Sequence, residues 1–147
     1  MSRYDVYVQP GTVAQARAGR PFTFGAGGAV AVRGRRKTVA AYEKCLCTQR
    51  GTDPTDLTYG TDLPSLVGSN VTVDDARDVV ALAVQDAAKQ LLNLQRAASL
   101  PVDERLSSVA VGSVTAYPAL PGVAVTVNLR FADGSTATVT PPTIPLR

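Results

Sequence analysis

The chain has 147 residues, 45% of them hydrophobic and 18% charged, the size and composition of one soluble globular domain. It has no histidine and only two cysteines, which excludes Ser–His and Cys–His nucleophile pairs and the commonest metal ligand. A net charge of +3 is too mild to mark a dedicated nucleic-acid surface.

No apolar run approaches the roughly 18–20 residues that span a bilayer. Met1-Ser2-Arg3-Tyr4-Asp5 is not followed by the apolar core of a signal peptide, so assembly in a cytosol is expected. Tyr4-Asp5-Val6-Tyr7-Val8 alternates enough for a short strand, closed by Pro10-Gly11. Residues 19–28 mix glycines, Pro21, Phe22 and Phe24 and read as a loop or extended arm. Ala29-Val30-Ala31-Val32 suits a second short strand. The basic cluster Arg33, Arg35, Arg36 and Lys37 follows, with no aromatic between Phe24 and Tyr42 to stack on bases. It reads as a solvated loop or a patch for an acidic partner, and nucleic acid is not expected there.

From Thr38 the pattern turns helical, with Val39, Tyr42, Cys45 and Leu46 at steps of three and four. Gly51 stands where a C-cap or early loop residue belongs. Asp53-Pro54, Tyr59-Gly60 and Leu63-Pro64 then mark a loop, with Leu57, Tyr59, Leu63 and Leu66 as expected buried anchors. Thr72-Val73-Asp74-Asp75 opens a long helix by capping-box logic: Thr72 accepts from an early amide and Asp75 reaches back toward the cap. Asp74, Asp75 and Asp78 suit the positive end of its dipole and Arg96 the negative end. Val73, Ala76, Val80, Val84, Ala87, Leu91, Leu94 and Ala98 form the apolar stripe, about 26 residues long before Pro101.

After Pro101 the period becomes two. Val109 to Ala116 predicts a strand with Gly112 as a bulge. Val123, Val125, Val127, Leu129 and Phe131 alternate with polar or small residues, a strand with one buried face. Asp133-Gly134 predicts a two-residue hairpin turn, and Ser135 to Thr140 the returning strand. Only Ala137 and Val139 anchor that strand, so it reads as a sheet edge. A neighbour's backbone could finish it, or it could stay polar to limit aggregation. Pro141, Pro142 and Pro145 keep the tail extended. The expected fold is α+β: a small mixed or antiparallel sheet with one long amphipathic helix and one shorter helix. Its expected divisions are an arm at 1–37, a single domain at 38–140 and a Pro-rich tail at 141–147.

Catalytic and cofactor chemistry finds little here. Cys45 and Cys47 lie one residue apart, about 200° on a helix, which suits neither a disulfide nor a metal pair. They read as small helix residues in a reducing compartment. Asp53, Asp56 and Asp62 crowd one loop, but nothing beside them, and no Trp anywhere, supplies the apolar wall that would raise a glycosidase carboxyl. Asp at such positions caps turns. Gly25-Ala26-Gly27-Gly28 lacks the strand and helix of a dinucleotide fingerprint, and no phosphate-binding loop with Gly-Lys-Ser/Thr is present. No enzyme activity, metal or cofactor is expected.

From Val39 to Thr140 the order of parts resembles the baseplate wedge and sheath-initiator family of contractile phage tails and related injection machines. Family members typically show a helix ending in Leu-x-Thr-x-x-Gly, matched by Leu46-Cys47-Thr48-Gln49-Arg50-Gly51. An aromatic-Gly-small segment before Asp/Gly-Leu follows, matched by Tyr59-Gly60-Thr61-Asp62-Leu63. Then come a long helix, an arginine-bearing turn (Val102-Asp103-Glu104-Arg105) and a hairpin with an Asp-Gly turn. Many relatives carry a Glu-Pro-Arg-like segment before the long helix; here Leu66-Val67-Gly68-Ser69-Asn70-Val71 stands instead, which leaves the docking partner open. The first 30 residues match no part of the family pattern. Some relatives are labelled lysozyme-like, but this chain offers no residue set for that activity.

The resemblance implies a structural virion protein of the tail baseplate, assembled in the host cytoplasm. It would join the baseplate wedge to the first sheath ring by β-strand augmentation, in a six-fold ring with sheath, wedge and tail-tube proteins as partners and no membrane. On that reading Phe131, Ser135, Thr136, Ala137, Thr138, Val139 and Thr140 form the sheath-facing edge. Arg50, Asp53, Tyr59, Asp62, Leu63 and Leu66 form the wedge contact. The alternatives are a small cytosolic adaptor of the same fold and a component of a non-contractile tail.

Overall fold

The computed structural model describes residues 5–6, 31–117 and 122–147. Two short strands, β1 (Asp5–Val6) and β2 (Ala31–Val32), pair antiparallel. Helix α1 (Arg35–Cys47) is followed by a 3-10 turn at Leu63–Leu66 and by helix α2 (Val73–Arg96). Strands β3 (Leu106–Tyr117), β4 (Gly122–Phe131) and β5 (Thr136–Val139) form an antiparallel sheet in that order. Strand β6 (Ile144–Pro145) pairs with the start of β4, beyond the end of β5. The fold is α+β, as the sequence patterns indicate.

The core is the space between α2, α1 and the inner face of the sheet. Strand β4 lies at its centre: Val123, Val125, Val127, Leu129 and Phe131 are each at most 2% exposed. Burying each such side chain contributes about 1.5–3 kcal/mol. Ala76, Val80, Ala83, Val84, Ala87 and Leu91 supply the facing stripe of α2. That stripe ends a turn early, because Leu94 is 56% exposed and Ala98 lies beyond the helix. Helical period marks a face but not where the sheet beneath it stops.

The start of α2 follows its cap. The Asp75 amide donates to Thr72 Oγ1 at 3.2 Å, but the Asp75 carboxylate accepts from the Thr72 hydroxyl at 2.7 Å instead of from the cap amide. The start of α1 differs from expectation. The helix begins at Arg35, not Thr38, so the basic cluster reaches into its first turn, where cations oppose the dipole. Glu104 from the α2–β3 connection compensates. Its carboxylate accepts from the Gly34 amide at 2.9 Å and pairs with Lys37 Nζ at 3.5 Å, with both side chains under 15% exposed. The Glu104 carbonyl accepts from the Thr38 hydroxyl and, at 3.2 Å, from Gln95 Nε2.

The β4–β5 turn also differs from the sequence reading. The β4–β5 hairpin closes through three residues, Ala132 to Gly134, with Gly134 left-handed (φ 83°) and its amide donating to Phe131 O. An Asp-Gly pair serves this turn as well as the two-residue one. The proline-rich tail is extended, as expected, and its end pairs with β4. Ile144 and Leu146 are buried, the Gly68 amide donates to Pro145 O, and the Arg147 amide donates to Ser69 O.

Candidate interaction site

The segment after α1 is held by a small set of backbone contacts. Thr61 is fully buried; its amide donates to Thr48 O, its hydroxyl to Leu46 O at 2.7 Å, and its carbonyl accepts from the Arg50 amide. Gln90, on the flank of α2 that meets this loop, grips Gly60 twice. Its Nε2 donates to Gly60 O at 2.8 Å and its Oε1 accepts the Gly60 amide at 3.0 Å. The same Oε1 accepts from Cys45 Sγ at 3.4 Å, and burial pushes that thiol above its ordinary pKa. Gly60 must be glycine: φ is +99°, and a Cβ there would stand 2.4 Å from Thr48 O. The two short motifs of this region are therefore one tertiary joint between α1, the loop and α2.

Residues expected to meet a wedge partner divide accordingly. Leu63 and Leu66 are 3% exposed and belong to the core, so they offer no surface. Arg50 is exposed but engaged: its Nη2 lies 2.7 Å from Asp86 and its Nε 3.6 Å from Asp62. Asp53 accepts from the Thr55 hydroxyl and amide, which hold its carboxyl below the ordinary range, and Asp56 does the same with Thr58. These carboxylates are turn caps. Tyr59 is half-buried, with Lys44 Nζ 5.9 Å from its ring centre. Leu57, expected as an anchor, is 66% exposed, because it sits between the two Asp–Thr turns and points outward.

In the basic cluster Lys37 pairs with Glu104, and Arg33, Arg35 and Arg36 are exposed. No group of His, Cys, Asp or Glu side chains that could hold a metal ion is found among the described residues. No described helix is long and apolar enough to cross a membrane.

No family model matches the chain, and no curated protein matches it.

The sheet edges remain as candidate docking elements. The expected edge at 131–140 contains Phe131 and Val139, both buried, and only four residues of regular strand; Ser135 closes the turn opposite Phe131 and Thr140 lies beyond the strand. Its exposed Thr136 and Thr138 face away from the core, and Thr138 Oγ1 donates to Asn128 at 3.2 Å. The opposite edge is β3. It offers twelve consecutive strand residues without one charge or proline. Its bulges are where the register shifts, between Leu106 and Ser108 and between Val111 and Ser113. The sequence holds a signal for it: a strand this long lacks the Lys, Glu and Pro that commonly keep an edge from pairing, and only its bulges remain of those devices.

Proposed function

We propose that this chain is a structural protein of a phage tail baseplate, joining the baseplate wedge to the first sheath ring by β-strand augmentation. One observation carries the reading: among the described residues the sheet ends in β3, a twelve-residue uncharged edge with no described strand on its outer side. Main-chain hydrogen bonds along such an edge give strength with little dependence on the partner's sequence, which suits a joint repeated around a ring. The β5 edge has only four residues of regular strand, so β3 offers the longer ladder. The order of motifs from Leu46 to Gly134 supports the tail assignment, and the loop they form is built to hold shape.

Negative-stain electron microscopy of particles assembled without this protein tests the proposal. Tubes and baseplates lacking sheath are expected. Fully sheathed tails would reject the role.

A further inference from the structure

Among the described residues, the sheet stops one strand short of covering its helix. On β4 the inward residues Val123, Val125 and Val127 are 0–2% exposed. Their register partners on β3 are Ala116, Val114 and Val111. Ala116 and Val114 are only half-buried and Val111 is 39% exposed. Helix α2 shows the same deficit on the adjoining flank. Asp86 and Gln90 mark its side toward the α1 loop, and Gln95 Oε1 accepts the Leu106 amide on its side toward β3. Ala81, Ala88 and Leu92, at i, i+7 and i+11, share that second side and are half-buried.

We infer that two copies of this chain pair through their β3 edges, antiparallel about a twofold axis, with their α2 helices packed side by side. The strand supplies what the edge needs: an extended uncharged segment with Val109, Val111, Val114 and Ala116 on the inward side across the irregularity at Gly112, bringing no like charges opposite each other. Placing Val111 opposite Val114 of the second copy, and Val109 opposite its Ala116, keeps every inward residue facing inward. Such a twofold leaves both α2 helices on one face of a continuous sheet. Each helix lies over β3 and β4, so the two axes stand about two strand spacings apart, or roughly 10 Å. That is the distance at which helices pack, and Ala81 and Ala88 are small enough to permit it. An extended arm from another protein would complete the backbone bonds but leave the α2 flank uncovered. A second copy covers both. The inference rests on the edge and the flank, not on the tail assignment.

Sedimentation velocity of the full chain across a micromolar concentration series tests it. A dimer is expected. Val111→Lys and, separately, Ser113→Lys should raise its dissociation constant by about 100-fold or more, because they set a charge into the pairing. Both positions are already exposed, so circular dichroism and melting should match the parent for at least one of them. Thr138→Lys on the β5 edge should leave the dimer intact. A parent that stays monomeric, or a dimer lost in Thr138→Lys and kept in both β3 variants, overturns the inference. A sheath arm and a second copy would use the same β3 edge. The pairing therefore belongs to the free chain and would give way to the arm in the assembled ring. Sedimentation of the free chain reads the first and microscopy of the particles the second.

Discussion

Gln90→Met should destabilise the protein by about 2–4 kcal/mol. The substitution keeps the length and helix propensity of the side chain but removes both hydrogen bonds to Gly60, at 2.8 and 3.0 Å. A neutral hydrogen bond contributes about 0.5–1.5 kcal/mol net, and a buried backbone group left without a partner costs about 1–3 kcal/mol. Gly60 is buried, so neither its amide nor its carbonyl turns freely to water. For a chain of this size the loss corresponds to about 5–12 °C in melting temperature. Urea unfolding followed by far-ultraviolet circular dichroism should show a lower midpoint at an unchanged slope. Gln85→Met, on an exposed face of the same helix, is the control and should change nothing. Gln90→Glu should lose as much as Gln90→Met, since its carboxylate oxygen would face the Gly60 carbonyl. If Gln90→Met lies within about 0.5 kcal/mol of the parent, the joint does not hold the loop as argued.

Gly60→Ala should fail to give a native spectrum, because the clash with Thr48 O is with backbone and φ is +99°; a folded variant with parental melting would contradict the geometry. Leu57→Ser should alter stability by less than about 0.5 kcal/mol, while Leu63→Ala costs about 2–5 kcal/mol, in the same urea titration. Stability against pH should be level from about pH 5 to 8, because no histidine titrates there. On the acid side, the hydroxyl and amide of Ser135 hold Asp133 below the ordinary carboxylate range, as Thr55 and Thr58 hold Asp53 and Asp56. A lowered folded pKa contributes stability that is present above the ordinary value and lost as pH falls from about 4. On the alkaline side burial raises Tyr42 and Cys45, so their contribution is full below their ordinary values and fades as pH climbs past about 8.5. Urea midpoints measured across pH check both limbs, and a step near pH 6.5 would contradict them.

What could be read from sequence was what is local and periodic. The stripe of α2 and the alternation of β4 stand out because one helical face and one strand face are wholly buried. The first turn of α1 was hidden because its helix depends on Glu104, sixty-nine positions after Arg35, and three cations in a row read as loop. Strand β6 was hidden by its prolines, although Pro145 needs no amide at the margin of a sheet. The outer position of β3 is strand order, which no local pattern encodes. Gln90 looked like any polar residue on a helix, and only the fold aims it at Gly60. The loop motifs were legible as motifs, and Leu63 and Leu66 are buried anchors as expected, but the joint that Thr61 and Gln90 make with them was not legible.

The clasp made by Glu104 also bears on the order in which the chain assembles. Helix α2 and the β3–β4–β5 meander are neighbours in sequence and can close on short loops. The Gly34–Glu104 contact spans 70 positions, and closing a loop of that length costs about 4 kcal/mol by the logarithmic rule. The first turn of α1, with its cations against the dipole, has no reason to form before that loop closes. It should dock last on folding and open first under native conditions, so its amides should exchange with deuterium ahead of those in β4. A chain that uses a distant carboxylate to start a helix makes that helix the gauge of whether everything between them has already folded.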